Sequence, residues 1–574
     1  MSVINTTPSR VANKKAGGAL TGLAVGLVLI VLGMWFSAGA QLSTGMALLV
    51  IAVAGGFAAY GLNRYVTPDP VDEHDAAEMS PGQLAMMGGE MGQLGGNPEV
   101  RRICEVAFNF SDTLTPVAQH FSFDDGKLDG FGFVSNKTGF FASEGNKTRL
   151  YEILSGAMGG GGWGIDFDAA NDTVIASRKS SVPKLALPPV WPVVPDAAAA
   201  LTAYNDWELT LGPGEDGMVT INPQVFPHCS AIATSGGGKS VFLRACIEQF
   251  RAVGGMVLLG DGKGSDYASL VDMPGVITVG RGSGTKGVEY IGAIEIAFRL
   301  MQQRQNTAAE RKRRDPAGWK NVPPVFLVLD ELKSVMKKWK TELDGKSFKS
   351  IESKVNQLLA LGRELRIHVY TATQDVYAES IPPSWLTNIG LKISLGKPHH
   401  LTISKAFDES IRGQATRVAA GIDPKVRGRG MVAGVDEDSG QAQVVPYQGF
   451  LGYSPGEAVP GFFSGEQKAQ WAMFKNQVSD NIPRLYSRKW FKIDSMSEAQ
   501  EKKENETGVD LGYIDFEMFS MDEIANMQVV NLDMRDANGN IVPNPEMVKY
   551  DPNPDNAHYV CRPVLTSSNS IEEI

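Results

Sequence analysis

A chain of 574 residues, 43% hydrophobic and 21% charged, is long enough for two to four folded domains and too apolar to be a disordered chain. Its four cysteines (Cys104, Cys229, Cys246, Cys561) form no Cys-x-x-Cys pair and its seven histidines show no ligand spacing, which argues against a disulfide framework and a zinc ribbon and for a reducing compartment. A net charge of −10 argues against a general nucleic-acid coat protein, so local charge carries more information than the total.

Residues 1–16 read as a basic tail that ends in Lys14 and Lys15. No charged residue follows until Arg64, and the interval holds two apolar stretches, Ala19 to Phe36 and Met46 to Leu62, each long enough to span a bilayer as a helix. Gly39 to Gly45 supplies a polar turn, so the expectation over 17–65 is a transmembrane hairpin with both ends in the cytoplasm, where the flanking positive charge lies. The second span and the lack of a cleavage site set it apart from a signal peptide. Residues 66–99, acidic and then rich in Gly and Met, read as a linker. Residues 100–200 alternate short apolar runs with a helical patch near Leu150 and end in a series of prolines, which predicts a small α/β module and a stiff connector.

From 201 to 450 the pattern alternates strand and helix, as in a parallel sheet covered by helices. An apolar strand runs into Ala233-Thr234-Ser235-Gly236-Gly237-Gly238-Lys239-Ser240, and a helix is expected from Lys239 to Phe250. Glycines there let successive N–H groups and the helix N-terminus face a polyphosphate, with Lys239 reaching its outer phosphates and Ser240 taking one position on Mg²⁺. Ala233 stands where the usual pattern has its first glycine, and Val241 completes the stretch expected to hold the nucleotide. The second motif is Val325 to Leu329, a continuous apolar run for a strand buried on both faces, closed by Asp330 and Glu331. Carboxylates at a strand's C-terminal end sit where open α/β sheets bind ligands. Asp330 is suited to the Mg²⁺ shell and Glu331 to polarising an attacking water. Residues 451–574 turn helical and then acidic, with no recognisable chemistry.

Together these residues resemble the FtsK/SpoIIIE branch of the FtsK–HerA superfamily. The resemblance rests on Leu211-Gly212, Gly217, Pro227-His228 and the loop from Ser235 to Val241. It continues in Asp261-Gly262-Lys263, the run Leu361 to His368, and Ala372-Thr373-Gln374. It implies a RecA-like P-loop ATPase domain, ATP and Mg²⁺ as ligands, and a homo-hexameric ring that threads double-stranded DNA. It also implies that Gln374 senses the γ-phosphate and that an arginine enters from a neighbouring subunit, drawn from Arg363, Arg366 and Arg429 with Arg363 preferred. The two-span architecture is most similar to the membrane-anchored coupling proteins of Gram-positive conjugative elements, which implies a relaxase or other DNA-transfer component as partner.

Apart from any family, Arg299 to Lys354 carries 14 Lys and Arg against 7 Asp and Glu, densest at Arg311-Lys312-Arg313-Arg314 and at Lys337, Lys338 and Lys340. These seven are the expected DNA contacts, since clustered cations neutralise phosphates. Two rival readings are a membrane-tethered platform that binds nucleotide structurally and a protein-export ATPase of the type VII kind. A chromosome-segregation translocase is a third.

Overall fold

The computed structural model describes residues 94, 96–124, 126–158, 163–178, 182–234, 236–377, 380–435, 442–510 and 512–553. The hairpin expected over 17–65 lies outside them, and among the described residues no helix is long and apolar enough to cross a membrane. The chain divides into two compact units, one of Met1–Pro98 with Ser111–Pro116 and one of Glu99–Phe110 with Val117–Ile574. The first is described at few positions, among them the strand Leu114–Pro116. All that follows belongs to the second.

The second unit carries a small antiparallel sheet in which β1 (Ser122–Asp124) and β4 (Thr173–Arg178) flank β2 (Lys127–Ser135), and β3 (Trp163–Asp168) pairs with β4. Helix α1 (Glu144–Ala157) joins β2 to β3, so the module is α/β as its alternating runs predict. Its aromatic core holds Phe131, Phe133 and Phe141, all fully buried.

Among the described residues the central sheet has eight strands. In chain order they are β5 (Cys229–Ala233), β6 (Met256–Asp261), β7 (Val276–Arg281), β8 (Val325–Asp330), β9 (Ile367–Thr373), β10 (Leu391–Leu395), β11 (Arg429–Val435) and β12 (Ala442–Gln448). Across the sheet the order is β7-β6-β8-β9-β5-β10-β11-β12. Pairing is parallel from β7 to β10 and antiparallel in the closing hairpin. The hairpin and the parallel strands follow the expected alternation. Strand β7 was not foreseen, although Val276-Ile277-Thr278-Val279 between glycines carries a short-strand signal.

Helices cover both faces, which is why β8 is buried at every position and reads as an unbroken apolar run. Alternate residues divide between the two cores, because side chains on a strand point to opposite faces. Leu327 and Leu329 join one core with helix α3 (Val288–Arg314) and helix α5 (Gly345–Leu361). Phe326 and Val328 join the other with helix α2 (Lys239–Ala252). Between them helix α4 (Leu332–Glu342) leaves the end of β8 and adds Val335, Met336 and Trp339 to the first core.

The described residues beyond 450 pack on the same body. Trp490, Phe491, Phe516 and Ile524 belong to the first core, and Trp471 and Phe474 pack with Leu187 and Tyr453 from the proline-rich connector and the chain that follows β12. Glu517 accepts backbone N–H bonds from Lys286 and Val288, at 2.7 and 3.1 Å, and so satisfies the N-terminus of α3 from more than two hundred residues away. A Cβ on Gly284 would lie 2.2 Å from the Glu517 carboxylate, so that loop has to approach without a side chain.

Candidate nucleotide site

The candidate site lies at the C-terminal edge of the parallel strands. Strand β5 ends at Ala233, whose backbone is not among the positive-φ residues, so glycine is not required there. The turn begins at Thr234, whose carbonyl accepts the Gly237 N–H at 2.9 Å. Gly236 (φ 77°) and Gly238 (φ 100°) take left-handed conformations that favour glycine. Gly237 is held by contact instead: a Cβ there would sit 2.9 Å from the Ala233 methyl and 3.0 Å from the Thr234 oxygen. Ser235 falls outside the described residues. Gly238 caps α2, so Lys239, Ser240 and Val241 form its first turn and their N–H groups are free of intrahelical partners.

Asp330 and Asp261 end neighbouring strands in register. Asp330 is 1% exposed and accepts from the Ser240 hydroxyl at 2.9 Å, the Tyr267 hydroxyl at 2.8 Å and the Glu331 N–H at 2.7 Å. Burial raises its pKa above the ordinary aspartate range, against the lowering effect of those hydrogen bonds. Asp261 is likewise raised by burial while it accepts the N–H groups of Lys263 and Gly264 and orders the loop after β6. Burial, with Asp330 beside it, pushes the Tyr267 hydroxyl well up, so it remains a donor.

Glu331 follows in the left-handed region (φ 51°), a costly conformation for a non-glycine residue. It turns the chain from β8 into α4 and brings the carboxylate back over the phosphate loop. The Lys239 ammonium lies 3.6 Å from Glu331 Oε1, and the Gln374 amide donates to Oε2 at 3.3 Å. Lys263 lies 3.7 Å from the same Oε1. A Cβ on Gly262 would come 2.7 Å from the Glu331 Cβ, so the glycine at this position leaves room for the turn. Thus Lys239, Ser240, Asp330, Glu331 and Gln374, far apart in the chain, meet in one place.

A glycine cradle, a lysine, a hydroxyl beside a carboxylate and a second carboxylate beyond them suit a nucleoside triphosphate with its divalent cation. This is a P-loop nucleotide site. Its motifs resemble those of the FtsK–HerA superfamily. No family model matches the chain, and no curated protein does. Among solved structures the chain is similar to the monomer form of the pCW3 conjugation coupling protein TcpA with ATPγS, at 19% identity and TM-score 0.38, over 62% of this chain and 95% of that one. It is also similar to ATPases 2 and 3 of EssC from Geobacillus thermodenitrificans, at 14% identity and TM-score 0.39, over 61% of each chain. A third likeness is to the cytoplasmic domain of the type VII secretion ATPase EccC of Thermomonospora curvata, at 16% identity and TM-score 0.36, over 49% of this chain and 32% of that one.

The three arginines considered for a trans role are placed differently. Arg363 is exposed in the turn before β9, at the opposite end of the sheet from the phosphate loop. Arg366 is buried, with a left-handed backbone (φ 53°), and bonds the carbonyls of Leu201 and Val322 and the side chains of Asn205 and Asn321. Arg429 is tied to the Val182 and Pro183 carbonyls and to Gln448. These partners within their own chain give Arg366 and Arg429 a structural task.

The basic segment divides in the same way. Arg299 and Lys354 both pair with Glu295, Arg304 is buried under β8 and β9, and Lys333 pairs with Asp375. Arg304 already reaches the carbonyls that precede β8 and β9, so Arg311, Lys312, Arg313 and Arg314 extend past the edge where strands begin. Lys312, Arg313 and Arg314 are exposed there. Lys338 instead donates to the Gly282 and Gly284 carbonyls at 2.7 and 2.9 Å, beyond the edge where strands end. Lys337 and Lys340 are exposed on α4. The two runs therefore belong to opposite ends of the sheet. Sequence reasoning assigned no role to Asp266 or Tyr267, which sit in a loop without periodicity, and none to Lys263 beyond its place in a motif.

Proposed function

We propose that this chain is a membrane-anchored motor that hydrolyses ATP to move double-stranded DNA, as in conjugative transfer, and that it works as a homo-hexamer. The observation that carries the enzymatic part is Glu331, held in a strained turn with Lys239 on one carboxylate oxygen and Gln374 on the other. A platform that merely binds nucleotide has no use for that arrangement.

In this reading the N–H groups of Gly236 and of Gly238 to Ser240, with the Lys239 ammonium, take the phosphates of ATP. Ser240 and Asp330 would hold Mg²⁺, which when bound neutralises phosphate charge and orients the leaving group. Glu331 orients the attacking water and accepts its proton, a role open to it once Lys239 turns from the carboxylate to the phosphates. Gln374 keeps the second carboxylate oxygen in place, and in this reading it senses the γ-phosphate. Arg363 is the arginine left exposed for a neighbouring subunit. The exposed Lys312, Arg313, Arg314, Lys337 and Lys340 supply the positive charge for a DNA path, and the apolar hairpin over 17–65 supplies the anchor.

ATP turnover by the full chain, measured with double-stranded DNA, single-stranded DNA and no nucleic acid, tests the proposal with Glu331→Gln as control. Stimulation by double-stranded DNA that is absent in the variant is expected. Turnover indifferent to either form of DNA would turn the reading towards protein export or docking.

A further inference from the structure

The loop after β6 brings two charged groups to the site that the phosphate-loop chemistry does not use. The Ser240 hydroxyl has one hydrogen and two carboxylate acceptors, Asp266 Oδ2 at 2.8 Å and Asp330 Oδ2 at 2.9 Å. Asp330 has two other donors, the Tyr267 hydroxyl and the Glu331 N–H, and loses little if Ser240 turns away. Asp266 Oδ2 is also held by the Lys263 ammonium at 2.9 Å, and that ammonium stands 3.7 Å from Glu331 Oε1. Lys263 is half exposed, so it can follow a shift of the carboxylate without leaving the site.

Two consequences follow from the chemistry. A serine hydroxyl ligates a cation through its lone pairs, so its proton has to point at another acceptor. Asp266 is an acceptor on this chain that leaves Asp330 available to the cation. Glu331 Oε1 now has two ammonium neighbours, and Lys239 is the one that phosphate would recruit. Lys263 then remains as the charge that keeps Glu331 aimed.

We infer that Asp266 and Lys263 form a clamp of positioning residues: Asp266 accepts the Ser240 O–H hydrogen bond so that the hydroxyl's lone pairs can face Mg²⁺, and Lys263, held by Asp266, fixes Glu331 for the attack of water. The inference rests on the nucleotide-hydrolysing reading above and adds to it the loop that sets the geometry of both carboxylates.

The test compares the full-length wild type with Lys263→Met, Lys263→Arg, Asp266→Asn and Asp266→Ala, each checked for a native melting transition, in two measurements. One is ATPγS binding across Mg²⁺ concentrations, and the other is steady-state ATP turnover. Lys263→Met is expected to lower kcat by roughly 10- to 100-fold, the cost of a misplaced catalytic group, with KM for ATP little changed. Lys263→Arg restores most of the loss. Asp266→Asn keeps an oxygen for the Ser240 proton but loses the lysine's counter-charge, so it follows Lys263→Met in kcat and wild type in Mg²⁺ dependence. Asp266→Ala also raises the Mg²⁺ concentration needed for ATPγS binding several-fold. Wild-type kcat in Lys263→Met, or wild-type Mg²⁺ dependence in Asp266→Ala, overturns the clamp. If wild type turns over no more ATP than Glu331→Gln, the hydrolytic reading fails on its own, and ATPγS binding still decides the role of Asp266.

Discussion

The two edges of the central sheet both bury ionisable side chains, and they treat them in opposite ways. At the edge where strands begin, the buried Arg304, Arg366 and His368 are answered by the fold. Arg304 donates to the Pro323, Leu365 and Arg366 carbonyls, Arg366 to two carbonyls and two amides, and His368 lies between the Tyr204 hydroxyl and the Pro227 carbonyl. Where strands end, the partners are exchangeable. Ser240 faces two carboxylates, Glu331 two ammonium groups, and Asp330 is pushed up in pKa by burial. Groups bonded to backbone are parts of the structure, whereas groups bonded to one another through movable side chains can trade partners for a ligand. At the first edge Arg366 is taken up in this way, whereas Arg429 stands at the other, beside the end of β10, and is held by the Val182 and Pro183 carbonyls.

The contrast predicts that substitutions at the two edges separate activity from stability. The largest effect is expected at the ligand edge: Lys239→Ala should lose ATP binding, while Glu331→Gln should keep binding and lose turnover by about 10²- to 10⁴-fold. Equilibrium nucleotide binding beside steady-state turnover checks both, and equal turnover by Glu331→Gln and wild type would remove the catalytic assignment.

At the opposite edge, Arg304→Leu should leave nucleotide affinity alone and lower stability by about 1–3 kcal/mol for each buried carbonyl stranded. Denaturant unfolding measures it, and a loss of ATP affinity without loss of stability would break the comparison.

The buried histidines give a smaller and pH-dependent effect. Burial holds His228 down to about 4 and His368 down to about 3, the latter with His228 as a further cause. Both are therefore neutral in the folded chain, and the stability they contribute is fully present above the unfolded pKa near 6.5 and lost as pH falls below it. Between pH 7 and pH 5 the fold should lose about 2 kcal/mol for each histidine. Replacing His368 with Gln should flatten that slope in thermal melts, and an unchanged slope would show that the ring is not the group that titrates.

The smallest effect concerns DNA. Because Lys338 is tied to Gly282 and Gly284, neutralising Lys337 and Lys340 should reduce the slope of log affinity against log salt by at most about 2, similarly for all sequences. A larger loss from neutralising Lys312, Arg313 and Arg314 would draw the DNA path past the other edge.

Much of this chain can be read without coordinates, for a local reason. A glycine-rich turn before a helix, an unbroken apolar run ending in two carboxylates, and alternating strand and helix periods are set by backbone freedom, burial and side-chain direction within a few residues. They single out Lys239, Ser240, Asp330 and Glu331 as candidates from sequence alone. Other features depend on which distant segments meet, and only the tertiary structure decides them. Composition marks Arg299 to Lys354 as basic, but packing assigns Arg299, Arg304, Lys338 and Lys354 to internal partners. No period announces Asp266, Tyr267 or Glu517, because each acts on a residue from another part of the fold: Ser240, Asp330 and the start of α3. A hydrogen bond of that kind has no sequence pattern, since its geometry exists only once the sheet has brought its strand ends together.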